Sequence, residues 1–288
     1  MDTLMNIWYG IAGMLPFTWI KPLFMKNAFL AIILVSPMTA LIGVHLTAFR
    51  MAFFADAISH SAFTGIALGF IFMVDPVIAT AIFAVLVAFM IIRIERTSPL
   101  APDSVISVIM SAGIAVGLAV ASYRKTFMRD LTKYLFGDIL TVSGTDILML
   151  AVACAVCVAF ITATFNRLTL LSLNEHIAVK RYPNVAISKL VFSLLTAVVV
   201  ALCIKVIGML LITSLLIIPV TAARLIARNI VSTVWFGMMA SMTASIAGLI
   251  VSYYLDIATG PAIIIILSMI FAIAYAAALI MRTQRRTV

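Results

Sequence analysis

The chain has 288 residues, 65% of them hydrophobic and only 10% charged, with a mean hydropathy of +1.26 and a formal charge of +9. That much apolar surface cannot be hidden in a soluble domain of this size, so the solvent is lipid. The positive charge is no nucleic-acid footprint, because the basic residues lie in short connectors between apolar runs, where membrane proteins place them.

The first residues, MDTLMNIWYG, carry neither a basic segment nor a small-residue cleavage site, so no removable signal is expected. Residues 7–20 are apolar but interrupted by Gly13 and Pro16, and read as an interfacial helix or a short extra span. Residues 1–26 are therefore set apart from a single transmembrane domain at 27–288. A spanning helix needs about 20 apolar residues. Runs of roughly that kind lie at 28–48, 57–74, 77–94, 104–122, 146–165, 186–205, 207–222, 231–252 and 261–281. The expected fold is all-α and polytopic, with about nine transmembrane helices, eight at least and ten at most.

Orientation follows from the connectors. One side collects Arg50, Arg93, Arg96, Arg167, Lys180, Arg181, Lys189, Arg224, Arg228, Arg282, Arg285 and Arg286; the other has Lys21, Lys26, Arg124, Lys125, Arg129, Lys133 and Lys205. Positive residues favour the cytoplasm, so the richer side, with the C-terminus, is expected inside. Residues 123–145 then form a long outer connector and 166–185 a long inner one. The inner connector holds a short helical stretch, LNEHIAVKRY, ended by Pro183, which suits docking of a soluble partner or an ordinary surface loop.

The second run begins beside an acid and an imidazole. Asp56 and His60 are four residues apart and share one helical face, with Ser59 and Thr64 nearby. A carboxylate at membrane depth is unfavourable by roughly 3 kcal/mol on insertion scales, and such residues mark pathways or buried pairs. Carboxylate and imidazole suit Zn²⁺, Mn²⁺ or Fe²⁺. Two ligands are too few for a tight site. Two copies meeting on a two-fold axis would supply four. A structural Asp–His hydrogen bond and a proton relay are the other readings.

The remaining polar positions carry less. His45 reads as a core histidine, and His176 belongs to no H-E-x-x-H set. Cys154 and Cys157 form C-x-x-C in mid-run and, like Cys203, read as small buried hydrophobes rather than a disulfide framework. Gly65 with Gly69, and Gly113 with Gly117, are close-packing pairs. Pro219 frees a backbone carbonyl inside an apolar helix, giving a kink or a gate. No P-loop occurs, so any ATP is bound by another polypeptide.

RMAFFADAISHSAFTGIALGF resembles the signature of the zinc/manganese/iron-uptake ABC permeases, with Arg50, Asp56, Ser59, His60, Gly65 and Gly69 matching and Ala55 in place of the usual Gly. KYLFGDIL at 133–140, VIGMLLITSLLIIPVTAARLIAR at 206–228 (Gly208, Pro219, Ala223 and Arg224 in register) and SYYLDIATGPA at 252–262 resemble further elements of that family, zinc permeases more than manganese ones. The resemblance implies an ABC-importer permease fold working as a homodimer in the bacterial plasma membrane. Two ATP-binding cassette ATPase subunits would drive it, and an extracytoplasmic solute-binding protein would deliver the ion. It implies no intrinsic cofactor, Zn²⁺ or Mn²⁺ as cargo, and no catalytic residue. Asp56 and His60 would meet the cation, Ser59, Gly65 and Pro219 would shape the pathway, and Glu175 and Ala178 would couple to the ATPase, although the Gly often seen after that element is missing. The alternative is a proton-coupled secondary divalent-cation transporter. A membrane enzyme lacks a nucleophile-plus-base set, and an inert scaffold would tolerate loss of Asp56 and His60.

Overall fold

The structure is a computed structural model that describes residues 8–10, 18–123 and 139–286. Ten helices are described in full: α1 Leu23–Ala48, α2 Phe54–Phe72, α3 Pro76–Thr97, α4 Pro102–Tyr123, α5 Gly144–Leu173, α6 Glu175–Arg181, α7 Val185–Ile207, α8 Met209–Ile226, α9 Ile230–Leu255 and α10 Thr259–Arg286. All but α6 are long and apolar enough to cross a bilayer, which makes nine candidate spans among the described residues. Of the KYLFGDIL stretch, 133–138 lie outside the described residues, and Ile139 opens a 3-10 turn, Ile139–Thr141. The interrupted N-terminal segment is described at 8–10 and 18–20. There Trp8 donates to the Lys26 carbonyl at 3.1 Å, Tyr9 to Asn27 at 3.0 Å, and Trp19 and Ile20 are buried in the same core as the spans.

Several boundaries differ from the sequence reading, the first span starting at Leu23 rather than 28, and in two of them the physical reason is plain. The second span starts at Phe54 rather than 57, because Phe54 and Ala55 are wholly buried and packing carries the helix back. The fifth runs on to Leu173, past the first charge at Arg167. Leu168 is buried on its inner face, while Arg167 stacks over the Tyr182 ring at 5.4 Å. Most of the expected inner loop is therefore helix. Asn174 then caps α6 by accepting from the Ile177 amide at 3.1 Å.

Around the core, α1 packs against α5, α8 and α9, and α2 packs against α3, α4, α7 and α8. Both G-x-x-x-G pairs serve α2. A Cβ at Gly65 would lie 2.8 Å from the Thr80 Cα, and one at Gly69 would lie 3.0 Å from the Ala79 Cβ, so α3 sits flush against one side. On the other side a Cβ at Gly113 would meet Ser61 and one at Gly117 would meet Thr64, whose hydroxyl donates to the Gly113 carbonyl at 2.5 Å. Lipid gives helices no hydrophobic reason to associate, so close backbone contact is what holds α2 between its neighbours.

The turns explain two of the family-like elements. Gly208 joins α7 to α8 at φ 83°, a conformation a side chain resists. Asp256 ends α9 at φ 52°, which Asp tolerates, and the Ser252 hydroxyl closes the turn on the Ile257 carbonyl at 2.6 Å.

Candidate functional site

Asp56 stands in the first turn of α2, where the positive end of the helix dipole favours a carboxylate. His60 follows one turn later on the same face. Most of α2 is buried, and its half-buried positions fall largely on one line: Asp56, His60, Phe63 and Phe70. The acid and the imidazole thus lie on the stripe of this inner helix that its own chain leaves open. They also lie near the end of α2 that follows the α1–α2 turn, which shares a cleft with α6, since His60 is only ~9 Å of helical rise beyond Phe54.

A second open stripe faces them. On α8, Thr213, Ser214, Ile217 and Thr221 are half-buried between exposed Leu210 and Arg224. Asp56 interacts with the Thr213 side chain and electrostatically with His60, so the two stripes meet at Asp56 and Thr213. The Ser214 hydroxyl donates to the Leu210 carbonyl at 2.8 Å; the one Thr213 proton is within reach of the Leu210 carbonyl at 3.3 Å and of the Asp56 carboxylate, and the oxygen lone pairs of both hydroxyls remain to ligate. One chain therefore offers carboxylate oxygen, imidazole nitrogen and hydroxyl oxygen, a donor set for a divalent cation of borderline softness. Among the described residues no group of three or more His, Cys, Asp or Glu is placed to hold a metal ion, so the set from a single chain is incomplete.

The other candidate residues lie away from the Asp56–His60 stripe. Ser59 is rotated by about 100° from His60 on the helix. It is buried, with no hydrogen-bond partner for its hydroxyl among the described residues. Gly65 faces α3. Pro219 is buried on α8, which continues through it to Ile226. Next to the Leu215 carbonyl that Pro219 cannot satisfy, α1 crosses at Gly43, where a Cβ would lie 1.9 Å from the Leu216 oxygen. His45 is a buried core histidine, its Nδ1 3.3 Å from the Leu41 carbonyl and its ring beside Phe165 and Phe192. All three cysteines are free thiols.

On α6, Glu175 is exposed and Ala178 fully buried, so the two play different parts. Ala178 seats the helix on the bundle. Ile177 and Val179, apolar and 54% and 47% exposed, form the surface it presents. Sequence reasoning missed Thr213, Gly43 and these two residues. The available signal for Thr213 was a second threonine eight residues on, Thr221, about two helical turns away on the same side of α8.

The relatives agree in length and in fold. The chain is 31% identical over 247 residues to the high-affinity zinc uptake system membrane protein ZnuB of Haemophilus influenzae, covering 86% of this chain and 95% of that protein. It is 27% identical over 253 residues to the manganese transport system membrane protein MntC of Listeria innocua, covering 88% and 90%. Among solved structures, PsaBC from Streptococcus pneumoniae in complex with Fab superposes with a TM-score of 0.77 at 29% identity, over 88% of this chain and 92% of that one. An ABC transporter in an inward-facing conformation shares the fold at a TM-score of 0.70 and 19% identity, over 96% of each chain. The profile of the ABC 3 transport family matches residues 22–278, and the chain belongs to that family.

Proposed function

We infer that the chain is the membrane-spanning permease subunit of an ATP-driven importer of divalent transition-metal ions, Zn²⁺ or Mn²⁺, with Zn²⁺ the narrower choice. It is a multi-pass protein of the bacterial inner membrane and a transport subunit rather than an enzyme. The observation that carries the reading is the placement of Asp56 and His60 on the open stripe of an otherwise buried helix, against the hydroxyl-bearing stripe of α8.

A second copy of the chain is what that stripe asks for. A cation leaving water needs replacement ligands, and one chain supplies too few. A second copy facing the first across the stripe brings two Asp56 and two His60 together on the axis between them. Such a site must bind weakly enough to release the ion. ATP hydrolysis belongs to two separate cassette subunits seated on α6, whose exposed Ile177 and Val179 give an apolar footing. A solute-binding protein delivers the ion at the opposite end. The α6 end and the C-terminus are cytoplasmic, and residues 27–288 act as one permease domain.

The test is uptake of radioactive zinc or manganese into proteoliposomes holding the permease, its ATPase and its binding protein. Uptake should require ATP, persist without a proton gradient, and disappear in D56N and in H60A while the complex stays assembled. Uptake by the permease alone under a proton gradient would favour a secondary transporter. Normal uptake by D56N would remove the pathway assignment.

A further inference from the structure

At the α6 end of the bundle a cleft of about 480 Å³ opens between the α1–α2 turn, the end of α3, α6 and the start of α7. Five charged side chains line it: Arg50, Glu95, Arg96, Glu175 and Lys189. Three are already committed. Lys189 pairs with Glu95 at 2.7 Å and lies over the Phe49 ring, and Arg96 donates to the Ala186 carbonyl at 2.6 Å. The side chains of Arg50 and Glu175 have no hydrogen bond or ion pair among the described residues, and their charges are opposite.

The backbone at Arg50 sharpens the point. Helix α1 closes with two bonds, the Met51 amide to the Leu46 carbonyl at 3.0 Å and the Arg50 amide to the Thr47 carbonyl at 3.3 Å. That is the Schellman arrangement, in which the residue at Arg50's place adopts a left-handed conformation and is usually glycine. Arg50 is held there at φ 59°. Glycine would fill this place with less strain, so the side chain is what Arg50 adds there. Two residues beyond Phe54, the start of α2, stands Asp56.

We propose that Arg50 is a positioning residue that couples α6 to α2, forming an ion pair with Glu175 across this cleft in one state of the transport cycle. This rests on the permease reading above, in which the ATPases move α6 and the ion meets α2. Closing the cleft brings the two free charges together and draws the α1–α2 turn, and with it Asp56 and His60, toward α6. Opening it releases them. A partly desolvated Arg–carboxylate pair gives such a link direction as well as strength.

The experiment is made on the reconstituted permease–ATPase complex with its binding protein, reading ions moved per ATP hydrolysed. R50E and E175R should each lower that ratio by about tenfold, within the usual range of coupling between sites, with ATP hydrolysis continuing. The charge swap R50E/E175R should restore most of it. R50G relieves the left-handed strain, so it should keep or raise thermal stability and still lose coupling; a merely structural Arg50 would give R50G normal coupling. Normal coupling in R50E, or failure of the swap to rescue two defective single variants, overturns the pairing. So does dissociation of the ATPase in E175R that R50E does not repair. D56N is run alongside: normal uptake there sinks the permease pathway itself, whereas lost uptake in D56N with a failed swap sinks only the Arg50–Glu175 link.

Discussion

Asp56 and Asp146 occupy the same kind of place and are treated in opposite ways. Each is an acid in the first turn of a spanning helix. Asp146 is fully engaged. Its carboxylate takes the Lys205 ammonium at 2.7 Å, the Ser143 hydroxyl at 2.6 Å and the Ser143 amide at 3.1 Å, in a capping box that starts α5 and ties it to α7. Asp56 has no cationic Lys or Arg partner among the described residues, only Thr213 and His60 beside it. An acid given a lysine and a cap is structure. An acid left with a hydroxyl and an imidazole, on the open stripe of a buried helix, is on the proposed reading held for a cation that arrives from elsewhere.

The largest expected effect comes from removing the unpaired acid. D56N should lower metal uptake by about 100-fold or more, beyond what loss of a ligand's supporting partner brings. Its thermal stability should stay within about 1 kcal/mol of the parent, because the small loss at the helix N-terminus offsets relief of a half-buried charge. Uptake assays paired with thermal denaturation of the purified complex decide it. A D56N protein that unfolds instead would make Asp56 another Asp146.

The converse substitution is D146A, which removes a capping box and an ion pair together. Lys205 is 42% exposed, so its share of the pair is screened, and the combined loss should be about 2 kcal/mol of stability. Uptake per folded molecule should fall by less than about threefold, the effect of little over half a kcal/mol on a barrier. Uptake collapsing at full stability would show that the two acids are not used differently.

Gly65 tests whether the stripe is open because α2 is clamped from behind. G65A places a Cβ 2.8 Å from backbone at Thr80, a contact that neither helix relieves without shifting. Overpacking of this kind typically destabilises by 1–3 kcal/mol, so a loss of about 2 kcal/mol is expected, with uptake reduced in step. The same measurements apply, and a G65A protein of parental stability would mean that α3 does not fix the stripe's orientation.

Asp56 and His60 were legible in the sequence because polar side chains stand out against an apolar run, and their spacing needs only helical geometry. The number of spans was legible for the same reason: bilayer thickness sets the length of each run. The faces of the other helices were not. In lipid the outward face is as apolar as the inward one, so the polar–apolar alternation that marks burial in a soluble helix is absent, and α7 and α9 read uniformly. Gly43 gives no sign in sequence that Leu216 will press against it. The length of α5 was hidden because counting apolar residues stops at Arg167, whereas the helix stops only where Asn174 caps the next one. Ala178 and Glu175 fell within one motif, yet burial divides them.

Thr213 gives the smallest and sharpest test. It lies 157 positions from Asp56 in the chain, and only the crossing of α2 and α8 brings them together. If its hydroxyl helps receive the ion, T213V should raise the half-saturating metal concentration by about threefold to tenfold, the usual worth of one hydrogen bond, and leave the maximal rate nearly unchanged. T213S keeps the oxygen and should behave as the parent. If Thr213 merely fills space, valine, which matches its shape, should be silent and serine should show the defect. The valine–serine contrast in uptake kinetics thus separates a donor atom from a packing volume beside the acid that α5 would have paired with a lysine.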